Sequence, residues 1–227
     1  MNIYIAISII FLILIIIYFF ARKGARIHNV IEEDVIFLVD KETKSYNNDL
    51  LPESMDGEKY TFSFWIYTNN LPENVNWGSA YIRPKGVISH YNSPNVYFLP
   101  DKDILRISIG YKNDFNELEK YEFDIETFKY QRWENVAIVV DNRFVDIYLN
   151  GEMIKSMYLP NVPWVSNKML HLGQNGNNFN GHLTQIEYIN DSFSATEVHS
   201  LYKKNRSSVL SKKVMNYSEY KNKNKIY

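Results

Sequence analysis

The sequence predicts an all-β body, a sandwich or a barrel, preceded by one transmembrane helix. Three observations carry that expectation. Ile3 to Phe20 is an unbroken run of 18 residues with no charge, no Gly and no Pro. Beyond residue 34 the chain breaks into many short runs rich in β-branched and aromatic residues, separated by Asn, Gly, Asp and Pro. No long amphipathic helix, internal repeat or heptad pattern competes with that reading.

The apolar run comes first. As a helix it spans about 27 Å, close to the hydrocarbon thickness of a bilayer. A secretory signal would carry a basic start and a small-residue cleavage site. Here the chain opens Met1-Asn2, the run ends in Tyr18, Phe19 and Phe20, and the basic residues Arg22, Lys23 and Arg26 follow it. That order reads as an uncleaved single-pass anchor, with Ile3–Phe20 contacting the lipid bilayer. Basic flanks stay on the cytoplasmic side, so the body is expected on the cytoplasmic or virion-interior side. The expected organisation is an anchor over 1–21, a stalk over 22–34, a folded domain over 35–203 and a basic, disordered tail over 204–227.

Within the body, Val35 to Val39 reads as the first strand. Tyr60 to Tyr67 alternates, with Phe62, Phe64 and Ile66 on one face and Thr61, Ser63 and Trp65 on the other. A Trp on the mixed face implies that both faces are at least partly covered. Residues 69–80 and 91–103 read as loops, with strands at 86–89 and 104–109. Further strands are expected at 121–126 and 135–140. Phe144–Leu149, Asn150-Gly151 and Met153–Tyr158 form a hairpin, because Asn-Gly supplies the two positive-φ residues of a type I′ turn. Strands at 169–172 and 182–188 follow. Ser194-Ala195-Thr196-Glu197 is a capping box that opens a short helix through Val198, Leu201 and Tyr202.

Composition narrows the chemistry. The chain has no cysteine, which excludes disulfides, thiolate zinc ligands and thiol catalysis. The net charge of −1 hides a segregation. Residues 27–202 hold 14 Lys or Arg against 25 Asp or Glu, whereas residues 203–227 hold eight against Glu219 alone. The acidic body is a poor surface for nucleic acid, and no specific nucleic-acid recognition is expected. The basic tail suits contact with an anionic leaflet. The five His residues lack metal-ligand spacing, and no phosphate loop, Ser-His-Asp signature or dinucleotide fingerprint occurs.

Taken together in order, several segments resemble the laminin-G-like, concanavalin A-like domains. The strand Tyr60–Trp65 is similar to an early family strand. Trp133-Glu134-Asn135-Val136-Ala137-Ile138-Val139-Val140-Asp141 is similar to the family's W-h-h-V-A-v-v-D strand. Val145–Gly151 is similar to its v-l-Y-v-D-G hairpin. Leu172-Gly173, Phe179–Leu183 and Ile186–Asn190 resemble its closing strand, and Phe193–Val198 with Leu201-Tyr202 its final helix. The resemblance covers about residues 30–203. It implies a jelly-roll sandwich of two antiparallel sheets, and glycan or protein binding more often than catalysis. Some relatives bind calcium in loops, but no calcium motif is evident here and no cofactor is expected.

Candidate site residues follow from residue chemistry. Trp77 and Trp164 lie in loop-like sequence, where an indole can stack on a sugar ring or anchor a protein interface. Asn175, Asn177 and Asn178 belong to an Asn-rich loop able to hydrogen-bond sugar hydroxyls. Glu122-Phe123-Asp124-Ile125-Glu126 resembles the E-x-D-x-E strand of laminarinase-type glycoside hydrolases, in which Glu122 and Glu126 would be nucleophile and acid/base and Asp124 would tune them. The plainer reading is an amphipathic strand with its acids outward. The reading favoured by the sequence is a membrane-anchored, non-catalytic module that recognises a protein or glycan through its loops. The alternatives are that hydrolase and a structural membrane or virion component.

Overall fold

The computed structural model describes residues 10–13, 26–38, 43–53, 58–69, 84–91, 93–100, 104–164, 168–173, 178–214 and 219. Of the apolar leader, Ile10 to Ile13 are helical and exposed. The rest of Ile3–Phe20 lies outside the described residues, and among those described no helix is long and apolar enough to cross a membrane.

Two antiparallel sheets stack face to face. The first contains β1 (His28–Glu32), β2 (Ile36–Leu38), β4 (Lys59–Thr68), β9 (Trp133–Asp141), β10 (Phe144–Leu149), β11 (Glu152–Tyr158) and β13 (Gly181–Ile189). Its order is β1-β13-β4-β9-β10-β11, and β2 also pairs with β13. The second contains β3 (Lys44–Tyr46), β5 (Lys85–Ser89), β6 (Asn95–Phe98), β7 (Leu105–Lys112), β8 (Leu118–Ile125) and β12 (Leu170–Leu172), ordered β3-β12-β5-β6-β7-β8. The helix α1 (Ala195–Leu210) follows the last strand.

Alternation builds the core between the sheets. Phe62, Phe64 and Ile66 from the first sheet are fully buried with Leu105, Ile107, Ile109 and Phe123 from the second. The Asn150-Gly151 turn closes the β10–β11 hairpin as expected, with φ of 54° and 79°.

The opposite face of the first sheet is covered by α1. Ser194 accepts from the Glu197 N–H, and the Glu197 carboxylate accepts from the Ser194 N–H, completing the capping box. Val198, Leu201, Asn205 and Val209 form the buried stripe at helical spacing. Trp65 stacks on Tyr202, with centroids 5.3 Å apart and planes 14° apart. Ala137, Val139 and Tyr148 pack with Val198. The two-sided burial inferred from Trp65 therefore has a concrete source.

Several expectations need correction. Residues 28–32 are not stalk; they form β1, paired with β13 at the sheet edge. Its sequence, His-Asn-Val-Ile-Glu, shows little alternation because only Ile31 and Glu32 are buried. The loop assigned to 91–103 contains β6, and the short edge strand β3 was not anticipated. The helix does not end at Tyr202, and the stretch from 204 is not disordered at its start. Asn205 donates to the buried Glu187 carboxylate at 2.6 Å, and Val209 is fully buried, so two further turns are held against the sheet.

Glu187 shows how that covered face is closed. It is 1% exposed and accepts from Gln185 at 2.8 Å as well as from Asn205, with His28 Nε2 2.6 Å from its other oxygen. A buried carboxylate without such partners would be strongly unfavourable.

Candidate ligand-binding face of the open sheet

The second sheet carries no helix on its outer face among the described residues. Its register places one polar side chain per strand in a single row. Ser45 lies opposite His171, His171 opposite Ser89, Ser89 opposite Asn95, Asn95 opposite Ser108, and Ser108 opposite Glu122. Ser45 Oγ and His171 Nδ1 are 2.8 Å apart, and Ser89 donates to Asn95 Oδ1 at 3.0 Å. The Ser108 hydroxyl is buried and has no hydrogen-bond partner. The row was not legible in the sequence because it depends on six strands being in register.

Beside it lies the acidic strand. Phe123 and Ile125 point into the core, whereas Glu122 and Asp124 point outward. Arg106, opposite Asp124 on β7, gives Asp124 two parallel hydrogen bonds at 2.6 and 2.8 Å and gives Glu122 a third at 2.5 Å. The Asp124 bonds are the main reason the guanidinium is held even more firmly protonated than usual. Tyr97 donates to the other Glu122 oxygen at 2.9 Å; burial, and then that bond, pushes its phenol up to about 12. Glu126 falls beyond the end of β8 and is exposed. Glu122 and Asp124 are thus bound to a shared cation, and Glu126 does not continue their strand. The arrangement matches the amphipathic-strand reading.

Beside the middle of the polar row, past the Ser89 and Ser108 positions, stands an aromatic pair. Pro163 bridges Tyr111, and the Trp164 N–H donates to the Gly110 carbonyl at 2.8 Å. This extends β7 with a two-residue antiparallel contact and sets Trp164 opposite Gly110, on the face shared with Ser108 and Arg106. Tyr91, in the β5–β6 turn, meets the Trp164 ring edge-on at 5.2 Å. Tyr91 is 48% exposed, and its φ of 34° is a conformation that bulky side chains avoid. The Lys168 ammonium lies 5.9 Å from the Tyr91 ring centre. Sequence reasoning found Trp164 as a loop indole. It missed Tyr91, 73 positions away, because nothing local marks the encounter.

Asn178 is a different case. It is buried at 7%, bridges Gly86, and crowds Gly173 so closely that a Cβ there would lie 2.6 Å from its Oδ1. It is built into the wall of the sheet and does not present its amide to solvent, which corrects its place among the binding candidates. Trp77, Asn175 and Asn177 lie outside the described residues.

Beneath the β5–β6 turn is a cavity of about 10 Å³, lined in part by Tyr60, His90 and Ser93, with room for no more than a water. Burial lowers the His90 pKa, and its ring nitrogens contact the Ser93 and Lys168 carbonyls at 3.0 and 3.1 Å. Among the described residues no group of three or more His, Cys, Asp or Glu could hold a metal ion. What the geometry offers is a surface: an aromatic pair beside a strip of hydroxyl, amide, imidazole and carboxylate groups.

The fold is shared with solved binding domains at low identity. The botulinum neurotoxin serotype G binding domain matches 81% of this chain with TM-score 0.54 and 19% identity, using 47% of its own length. The botulinum neurotoxin serotype D ligand-binding domain, solved in complex with N-acetylneuraminic acid, matches 79% with TM-score 0.54 and 14% identity over 46% of its length. The binding domain of Paraclostridial Mosquitocidal Protein 1 matches 78% with TM-score 0.52 and 18% identity over 47% of its length. This chain therefore spans about half the length of each. No curated protein matches the sequence. A laminin-G family model, described as the concanavalin A-like lectin/glucanases superfamily, matches residues 43–199. With that match over most of the chain and the two-sheet sandwich in place, the protein belongs to the concanavalin A-like lectin/glucanases superfamily.

Proposed function

We propose that this protein is a membrane-anchored, non-catalytic recognition module whose ligand, a glycan, is met by Tyr91 and Trp164 at the end of the open sheet. The observation that carries the reading is the Tyr91–Trp164 pair, an exposed ring in a strained backbone conformation set against an indole beside a polar strip. An apolar ring face flanked by hydrogen-bonding groups suits a sugar, which itself has an apolar face and a hydroxyl rim. The N-acetylneuraminic acid bound by the serotype D domain supports a carbohydrate class. Ile3–Phe20 supplies the anchor, and Arg22, Lys23 and Arg26 orient the domain to the cytoplasmic or virion-interior side. On that side protein ligands are abundant, so the orientation favours a protein epitope as the second reading for the same aromatic pair.

The test is a glycan array followed by titration of the hits against intrinsic fluorescence. Replacing Trp164 by Ala is expected to weaken binding about thirtyfold, at about 2 kcal/mol for a central aromatic anchor. Tyr91→Ala should follow with a smaller loss. A hit whose affinity is unchanged in both variants, with their melting temperatures preserved, would refute the assignment.

A further inference from the structure

We propose that the solvent face of α1 is a docking surface for anionic lipid headgroups, holding the domain down against the bilayer that its leader enters. This rests on the anchored reading above. Lys203, Lys204 and Arg206 are exposed on α1, and Lys213 is exposed just beyond it. Among the described residues no hydrogen bond or ion pair engages any of these four side chains. From Val198 to Val214 the chain contains no Asp or Glu. The cations therefore form a ridge of one sign on a body that is otherwise strongly acidic. Serines alternate with them at 200, 207 and 208, and Leu210 is 54% exposed at the far end. The ridge is a fixed element, since the helix is pinned beneath by Trp65, Glu187 and Val209.

Lipid is favoured over other polyanions by where the leader joins the fold. Arg26 is clamped to Asp191 at 2.7 Å and to Glu197 at 2.6 Å, in the first turn of α1. Six positions separate Phe20 from Arg26, at most about 20 Å when extended. The helix itself is about 24 Å long. A bilayer holding Ile3–Phe20 would thus lie within reach of the helix start, with Arg22 and Lys23, which follow Phe20 in the sequence, placed to meet its headgroups. The same leaflet that attracts those two attracts the ridge, while the acidic charge of the rest of the body turns its other faces away.

The absence of cysteine allows a single reporter. Full-length protein carrying Ser207→Cys, labelled with a polarity-sensitive dye, is reconstituted into phosphatidylcholine vesicles with and without about one third phosphatidylserine. The expected result is a blue shift only with phosphatidylserine, abolished by high salt. Combined Lys203→Glu, Lys204→Glu and Arg206→Glu should remove it, each residue contributing about fivefold to the docked population. Gln at the same positions should give an intermediate loss. If the chain withstands alkaline carbonate yet the dye ignores phosphatidylserine, docking is refuted while anchoring stands. If carbonate strips the chain from vesicles, anchoring fails and the docking inference falls with it. A dye that responds to duplex DNA with the same side-chain dependence, and not to phosphatidylserine, would overturn the lipid assignment in favour of nucleic acid.

Discussion

The two outer faces of the sandwich are built from the same alternation and end in opposite states. On the first sheet, Thr61, Ser63 and Trp65 point away from the core but are buried at 2% exposure or less, Trp65 under α1 and Thr61 against the Asp191–Phe193 segment that leads into it. On the second, Arg106, Glu122 and Asp124 point away from the core and remain 25–38% exposed. The covered face pairs its buried carboxylate and amides internally, Glu187 with Gln185, Asn205 and His28, and Asn135 with Ser63 and the Phe64 carbonyl, while the Trp65 and Trp133 indole N–H groups are buried there without a partner among the described residues. The open face uses one guanidinium to neutralise two carboxylates and links neighbouring strands through Ser45–His171 and Ser89–Asn95 side-chain contacts. A face sealed from solvent is structural, and a face whose polar side chains remain partly exposed is where recognition can occur.

The largest expected effect tests the covered face. Replacing Trp65 by Ala removes the ring stacked on Tyr202 and leaves a cavity under α1. A loss of about 3–5 kcal/mol is expected in urea unfolding. A loss below about 1 kcal/mol would mean that the helix is not seated as described.

Arg106→Ala probes the open face and should cost less, about 1–2 kcal/mol. It removes three charge-assisted bonds and leaves Glu122 and Asp124 facing one another, partly relieved by solvent. The deficit should shrink in molar salt, as it would not for Trp65→Ala, and the two urea series compared at low and high salt would show it.

The smallest effect is at the helix start. Hydrogen bonds from Ser194, and then from Arg26, hold the Glu197 carboxyl down at about 2. Its contribution is complete above the ordinary carboxylate value of 4.5 and fades as pH falls through about 2. The group is 39% exposed, so solvent screening keeps the effect small. A wild-type melting temperature that declines more steeply than that of Glu197→Gln between those pH values would show it.

What the sequence made legible was whatever rests on local pattern. Alternation separated Phe62, Phe64 and Ile66 from Trp65, Asn150-Gly151 marked the hairpin, and Ser194 with Glu197 marked the helix start. What it hid depends on distant partners. β1 is a strand because β13 offers an edge, not because His-Asn-Val-Ile-Glu alternates. The helix outlasts Tyr202 because Glu187 awaits Asn205, although Lys203 to Ser208 looks like solvated tail. Trp164 was visible as a loop indole, but its meeting with Tyr91 and the row from Ser45 to Glu122 are products of topology. Asn178 read as display and proved to be masonry, because Gly173 leaves space for only its amide.

The clamp of Arg26 on Asp191 and Glu197 has a mechanical consequence. Any pull transmitted along residues 1–25 reaches the folded body first at this joint, where β1 begins and the α1 cap is tied. Tension there would peel β1 from β13 and loosen the first turn of the helix together, so the seam most exposed to force is the one that keeps the blind face shut.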